Sequence, residues 1–270
     1  MKLNVAVLNP AGNITLLVTT PVNREDYAKI AGKLLDMTEL RGEQVGFLTE
    51  PKQGGMVRLE MMGGEFCGNA LRSVGYYHAV KSGAQRRTVI AAEISGCGNP
   101  LDVEVDLDNN TAKSQMPLPV SINTVTVNGS ETKVVVFEGI VHFIAESPMS
   151  GGLPAIDEAF LEAAVEHAID RLGAEAAGVM FFDRASGFIR PVVYVCATDS
   201  LVYENSCASG SMASALVMAS DLPDGEYKIN VQQPGGTIEV GITKSGGGFE
   251  SLTIGGMVSI DGEVSVELQV

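Results

Sequence analysis

The sequence predicts a mixed α/β (α+β) protein built from two similar halves, and three observations carry that reading. Short β-branched runs bounded by turn residues outnumber helical stretches along the 270 residues. Two cysteines open look-alike segments, Phe66-Cys67-Gly68-Asn69-Ala70-Leu71-Arg72 and Ser206-Cys207-Ala208-Ser209-Gly210-Ser211-Met212. The order of strands, helix, strands, Cys-led helix and closing strands then repeats from one half to the other, as duplication would give.

Strands are predicted at 5–8, 14–19, 57–61, 88–94 and 101–107, and further along at 132–137, 142–145, 191–196, 226–232, 237–242, 252–256 and 264–270. Longer helices are predicted at 23–39 and 155–173. Asp26 and Asp157 lie near their starts, and apolar residues recur at three- and four-residue steps. Shorter helices follow the cysteines, at 70–80 and 212–220. A boundary falls near Pro117-Leu118-Pro119. It separates a half 1–118, completed by the C-terminal strand 262–270, from a half 119–261. Pseudo-symmetry would point both cysteine helices into the cleft between the halves. Lys244-Ser245-Gly246-Gly247-Gly248 has strand-like flanks and reads as a hairpin, not as a phosphate cradle.

Composition narrows the function classes. With 18 basic and 33 acidic residues the formal net charge is −15, which argues against a nucleic-acid binder or a partner of anionic membranes. Apolar runs stay well short of a membrane span, and the first residues lack the pattern of a secretory signal, so the cytoplasm is the expected compartment. Four cysteines without a C-x-x-C pair, and three histidines, do not suggest a disulfide framework or a metal site. No dinucleotide glycine fingerprint and no pyridoxal phosphate are implied, so no cofactor is expected. The class that remains is a small-molecule partner. A homodimer is compatible with the sequence without being specified by it.

A thiol at a helix N-terminus faces backbone N–H groups without intrahelical acceptors and the positive end of the dipole, an arrangement that favours thiolate. Two such thiols in matching positions suggest a pair of bases serving one substrate, Cys67 and Cys207. The backbone around Gly68, Asn69, Ala208, Ser209, Gly210 and Ser211 would bind a substrate carboxylate and stabilise developing negative charge. Asn13 and Asn69 are candidates for polar contacts to the substrate backbone. Glu204 is open between an α-ammonium contact and a turn-stabilising role, and His142 between a functional and a core histidine. Cys97, in Ser95-Gly96-Cys97-Gly98-Asn99-Pro100, reads as a hairpin turn, and Cys196 as a packed thiol.

These patterns resemble the cofactor-independent amino-acid racemases of the diaminopimelate epimerase fold family. Cys67-Gly68-Asn69-Ala70-Leu71-Arg72 is similar to that family's C-G-N-G-x-R motif, and Cys207-Ala208-Ser209-Gly210-Ser211 to its C-G-[ST]-G-x motif. Gly12-Asn13 resembles its early G-N turn and Pro234-Gly235-Gly236 its late P-G-G strand, while His142 stands at the histidine of an N-P-H segment. The resemblance implies two pseudo-symmetric domains, each a curved sheet around a central helix, with the active site in the cleft. Three departures qualify it: Ile140-Val141 replace the asparagine and proline, no E-R-G segment precedes Cys207, and Ala70 and Ala208 replace glycines. If either alanine sits at positive φ it carries strain.

Glu43-Gln44-Val45-Gly46-Phe47, Glu65-Phe66-Cys67-Gly68-Asn69-Ala70 and Glu204-Asn205-Ser206-Cys207 are closer to the histidine racemases of opine metallophore biosynthesis. That resemblance implies Glu43 beside the substrate side chain, able to accept from an imidazole N–H, and Gln44 beside its backbone. On its residues alone Glu43 reads as a surface carboxylate. Diaminopimelate epimerase activity is the nearest alternative. A non-catalytic binding module, or a thiol switch between Cys67 and Cys207, is the alternative of another class.

Overall fold

A computed structural model describes residues 1–196 and 199–269. Thr198, in the segment searched for the E-R-G motif, and Val270, at the end of the last expected strand, lie outside the described residues. The chain begins with β1 (Lys2–Asn9), β2 (Thr15–Val18), α1 (Tyr27–Leu35), β3 (Gln44–Thr49), β4 (Val57–Met61), α2 (Gly68–Lys81), β5 (Arg87–Ile94), β6 (Leu101–Asp106) and β7 (Thr111–Gln115). It continues with β8 (Ser121–Val127), β9 (Ser130–Phe137), β10 (Ile140–Glu146), the short β11 (Met149–Ser150) and β12 (Leu153–Pro154), and α3 (Glu158–Leu172). Next come β13 (Ala176–Asp183), β14 (Phe188–Val195), β15 (Ser200–Tyr203) and α4 (Ala208–Ala219). The hairpin strands β16 (Gly225–Gln233), β17 (Gly236–Ser245), β18 (Gly248–Met257) and β19 (Ser259–Glu267) complete it. The architecture is mixed α+β, dominated by sheet with few helices. No helix among the described residues is long and apolar enough to cross a membrane.

The chain divides into two compact units, Met1–Met116 with Ile254–Val270, and Pro117–Thr253. In the first, β1 pairs antiparallel with both β2 and β19, β2 runs parallel to β3, and β4 runs parallel to β5. Strands β5, β6 and β7 form a meander. Helix α2 packs against these strands and is buried at ten of its fourteen positions. Such a helix shows little amphipathic stripe and depends on small residues for close approach. A Cβ on Gly75 would lie 2.7 Å from Val103 Cβ.

In the second unit, β8, β9 and β10 form a meander, β10 runs parallel to β13, and β13 pairs antiparallel with β14. Helix α3 starts at Asp157, whose carboxylate accepts from Phe160 N at 3.0 Å, and it ends at Gly173 with φ 63°. Helix α4 is buried at ten of its twelve positions. The Gly246-Gly247 turn joins β17 to β18 with both residues at positive φ, as the hairpin reading expects.

The helix expected over 23–39 is shorter in the structure. Its buried face, Tyr27, Ile30, Ala31 and Leu34, is exhausted at Leu34, and single 3₁₀ turns at Arg24–Asp26 and Thr38–Leu40 flank it. The helices after the cysteines start earlier than expected, so that Cys67 and Cys207 are the N-cap residues themselves.

Glu93 on β5 is fully buried and anchors the loop between β3 and β4. Its carboxylate accepts from Lys52 N, Gln53 N and Gly55 N and pairs with Arg58 at 2.9 Å. Burial acts to raise its pKa, but these four donors outweigh burial and hold it at about 2, below its ordinary 4.5. A depressed carboxylate stabilises the fold above its unfolded pKa and loses that contribution as pH falls toward the folded one. Replacing Glu93→Gln is therefore expected to lower the urea midpoint at pH 7. The difference from the parent should shrink between about pH 4.5 and about pH 2.

Candidate active site

The Cys67 half-site lies in the first unit. The turn between β1 and β2 places Ala11 at φ 59° and Gly12 at φ 87°, and Gly12 N donates to Asn9 Oδ1 at 2.8 Å. That turn delivers Asn13, which is 5% exposed. Asn13 Nδ2 donates to Glu43 Oε2 at 2.7 Å, and Asn13 Oδ1 accepts from Gln44 Nε2 at 2.7 Å and from Asn69 Nδ2 at 3.2 Å. Gln44, the first residue of β3, also donates to Thr15 Oγ1, and its Oε1 accepts from the Cys67 thiol at 2.9 Å. Five of the sequence-chosen residues thus form one hydrogen-bonded group. Gly68 contributes backbone at the first turn of α2.

The loop before Cys67 is pinned by the turn that holds Cys97. Ser95 Oγ donates to Glu65 O at 2.8 Å, and a Cβ on Gly96 would come within 2.5 Å of Phe66 N. Cys97 itself only donates to Asn99 O, and Cys196 to Ala174 O.

The Cys207 half-site lies in the second unit. Cys207 Sγ accepts from Gly210 N at 3.4 Å and lies 3.7 Å from Ser209 Oγ. Glu204 hydrogen-bonds the same thiol. Ser211 Oγ donates to Cys207 O, and Ala208 N and Ser209 N belong to the first turn of α4, which has no intrahelical acceptors for them. Gln233, at the end of β16, accepts from Cys207 N at 2.8 Å and donates to Ser206 Oγ and Ser211 Oγ. Gly235 N donates to Asn205 O, so the Pro-Gly-Gly turn fixes the lead-in to Cys207.

His142 on β10 is fully buried, and its Nε2 lies 2.9 Å from Ser209 Oγ. Burial holds its pKa down to about 3, so the ring is neutral. Its Nδ1 has no hydrogen-bond partner. The tautomer that leaves no buried N–H without an acceptor carries its proton on Nε2 and donates to Ser209. The Ser209 hydroxyl hydrogen is then available to the Cys207 sulfur or to a bound anion.

The helix end is not the largest influence on Cys207. The Gly210 N–H and Ser209 do favour the anion, but burial first and the Glu204 carboxylate second push the thiol well above its ordinary range. Cys207 is held protonated. Ala70 and Ala208 carry no positive-φ strain, because both lie within helices.

Against known proteins, the model for the histidine racemase CntK N-terminal domain matches residues 2–266. The chain belongs to the histidine racemase family. A histidine racemase of Fusobacterium nucleatum is 34% identical over 86% of this chain and 86% of its own. One from Staphylococcus aureus is 30% identical over 86% of this chain and 85% of its own. Solved structures of much lower identity share the fold. A hydroxyproline epimerase from Agrobacterium vitis, solved with trans-4-hydroxy-L-proline, superposes with TM-score 0.64 over 98% of this chain and 91% of its own, at 13% identity. A protein of the phenazine biosynthesis PhzF family from Enterococcus faecalis gives TM-score 0.61 over 99% of this chain and 100% of its own, at 12% identity.

Within this racemase fold, sequence reasoning missed Gln233, Gly178 and Arg72. Gln233 stands directly before the Pro-Gly-Gly turn, which was the available signal. Gly178 on β13 pairs in register with His142, and a Cβ there would meet His142 Nδ1 at 2.2 Å. At that distance the buried ring or the strand must shift. Gly178→Ala is expected to cost about 1–3 kcal/mol of stability by overpacking and to slow racemisation by moving His142 off Ser209. Chemical denaturation and a chiral assay on the same sample check both outcomes.

Proposed function

We propose that this chain racemises histidine at its α-carbon without a cofactor, using Cys67 and Cys207 as the two acid–base groups. The observation that carries the reading is the pair of cysteine N-caps on two deeply buried helices, each thiol tied into its own polar network. Family membership supports histidine as the substrate.

In each direction one cysteine, as thiolate, takes the α-proton. The Cα–H bond breaks, an S–H bond forms, and the electron pair spreads into the substrate carboxylate. The other cysteine, as thiol, returns its proton to the opposite face, and its sulfur becomes the thiolate. Two thiols on opposite faces of one α-carbon are what this chemistry requires. The duplicated halves 1–118 (with 262–270) and 119–261, each a curved sheet around its cysteine helix, belong to the same proposal.

The substrate carboxylate is assigned to the N–H groups of Gly68, Asn69, Ala208 and Ser209, where helix dipole and developing negative charge reinforce each other. Asn13 and Gln44 orient the substrate backbone. Glu43, held by Asn13 through Oε2, is the acceptor for the imidazole N–H. D-Histidine made this way in the cytoplasm would supply metallophore synthesis.

Two experiments test the proposal. In deuterated buffer the reduced protein should wash deuterium into the α-position of L-histidine and form D-histidine. Cys67→Ser and Cys207→Ser should each lower racemisation by about 10²–10⁴-fold, the usual range for an acid–base group. A protein that ignores L-histidine but exchanges diaminopimelate would sink the substrate assignment. Glu43→Gln keeps the Asn13 contact within reach but weakens acceptance from the imidazole. It is expected to raise KM for histidine by about tenfold, a loss of about 1.4 kcal/mol. An unchanged KM in steady-state kinetics would remove Glu43 from side-chain recognition.

A further inference from the structure

Gln233 ends β16 on that strand's buried face, two residues beyond buried Val231, and is 3% exposed. An amide at a core position is costly unless its donors and acceptor are bonded, and here they are. Its Oε1 accepts from Cys207 N at 2.8 Å, and its Nε2 donates to Ser206 Oγ at 3.2 Å and to Ser211 Oγ at 3.0 Å. Ser211 Oγ donates in turn to Cys207 O at 2.7 Å. One ring of hydrogen bonds thereby holds both peptide groups that flank the Cys207 Cα.

The direction of every bond in the ring is forced. A backbone N–H only donates, so Gln233 presents its oxygen to Cys207 and its NH2 to Ser211. The Ser211 oxygen accepts from Gln233, and its hydrogen goes to the Cys207 carbonyl, which only accepts. Cys207 has φ −117° and ψ 111°, and these are the angles that the ring fixes. One torsion, χ1, is left to carry the sulfur. The Gly210 N–H, which donates to Sγ at 3.4 Å, holds that one.

In a capping box the N-cap N–H is satisfied from within the helix, by a glutamate or glutamine at the third helical position. In α4 that position is Gly210. A Cβ there would lie 2.2 Å from Met180 Sδ and 3.2 Å from Cys207 Sγ, so a side chain would push into Met180 and crowd the sulfur it served. The acceptor comes from Gln233 instead, 26 residues beyond Cys207. The turn that follows Gln233 binds the same lead-in, with Gly235 N donating to Asn205 O at 2.8 Å. The contacts described for the first half-site run between side chains. Gln44 Oε1 accepts from the Cys67 thiol, and the fully buried Arg72 donates from Nη2 to Asn69 Oδ1 at 2.9 Å.

We propose that Gln233 is the positioning residue of the Cys207 half-site, a capping group supplied by the β16–β17 turn that holds the Cys207 sulfur where proton transfer requires it. This rests on reading Cys207 as one of the two acid–base groups. Gln233 acts through the Cys207 backbone and not on the reacting atoms.

The test compares Gln233→Met, which keeps length and apolar packing, with Gln233→Glu, whose carboxyl oxygen can still accept from Cys207 N. Amide hydrogen exchange is read residue by residue by NMR on the uniformly 15N-labelled full chain. In Gln233→Met the Cys207 amide should exchange at least about tenfold faster, while the α4 amides at 212–216 keep their rates. Gln233→Glu should recover most of that protection. In steady-state racemisation of histidine, Gln233→Met should lower kcat by about 10–100-fold and leave KM within about twofold, because a misplaced reacting group slows the chemical step.

A folded Gln233→Met whose Cys207 amide keeps its wild-type rate would overturn the proposal. So would faster exchange along the whole of α4, which would make Gln233 a support of the helix at large, or a kinetic loss carried by KM alone. Should Gln233→Met not fold, Ser211→Ala opens the same ring at its hydroxyl and should also lower kcat; an unchanged kcat there would sink the idea. A Cys207 amide that responds as expected, in a protein that never racemises histidine, would count against the function and not against Gln233.

Discussion

The site depends on burying a helix while leaving its first turn chemically usable. α2 and α4 are buried almost throughout, and each begins at a cysteine. Nearly full burial demands small side chains on every face, which is why Gly75 lies against Val103 and Gly210 against Met180. It also removes water from the first-turn N–H groups, so their dipoles act in a medium of low dielectric. The same packing that costs conformational entropy thus concentrates the electrostatics at the two N-caps.

The two half-sites solve the positioning problem with different chemistry. In the first unit a chain of amides runs between a buried guanidinium and a carboxylate, and every member has its orientation forced by the two ends. In the second, Gln233 reaches across to the Cys207 backbone, and His142 sets the direction of one hydroxyl. Both networks lock side chains that could otherwise choose between donor and acceptor. The difference lies in charge, a cation behind Cys67 and a carboxylate against Cys207.

Much of this was legible in the sequence. The strand at 57–61 and the hairpin at Gly246-Gly247 rest on local propensity, and both appear in the structure as expected. Asn13, Glu43, Gln44 and Asn69 came from motifs and do converge. What escaped depends on contacts distant in sequence. β13, Ala176 to Asp183, is a parallel-paired buried strand whose Ala-Ala-Gly-Val-Met-Phe-Phe run shows no alternation. Gly178 within it reads as a strand breaker until His142 is seen to occupy the space. Arg72 stands in the cysteine motif, but its full burial and, among the described residues, its distance from any carboxylate are properties of the tertiary structure. The raised Cys207 thiol was hidden for the same reason: the helix end is local, whereas burial is not.

The raised Cys207 thiol bears on how the proposed two-base exchange would start each turnover. Two thiols in identical surroundings would share one proton poorly, since a large part of the population would hold two protons or none. Neither form can both take and give a proton. Separating the two ionisations widens the pH range over which one proton is bound, and each unit of separation corresponds to about 1.36 kcal/mol of differential stabilisation. The Glu204 carboxylate against Cys207 acts in that direction by favouring the thiol.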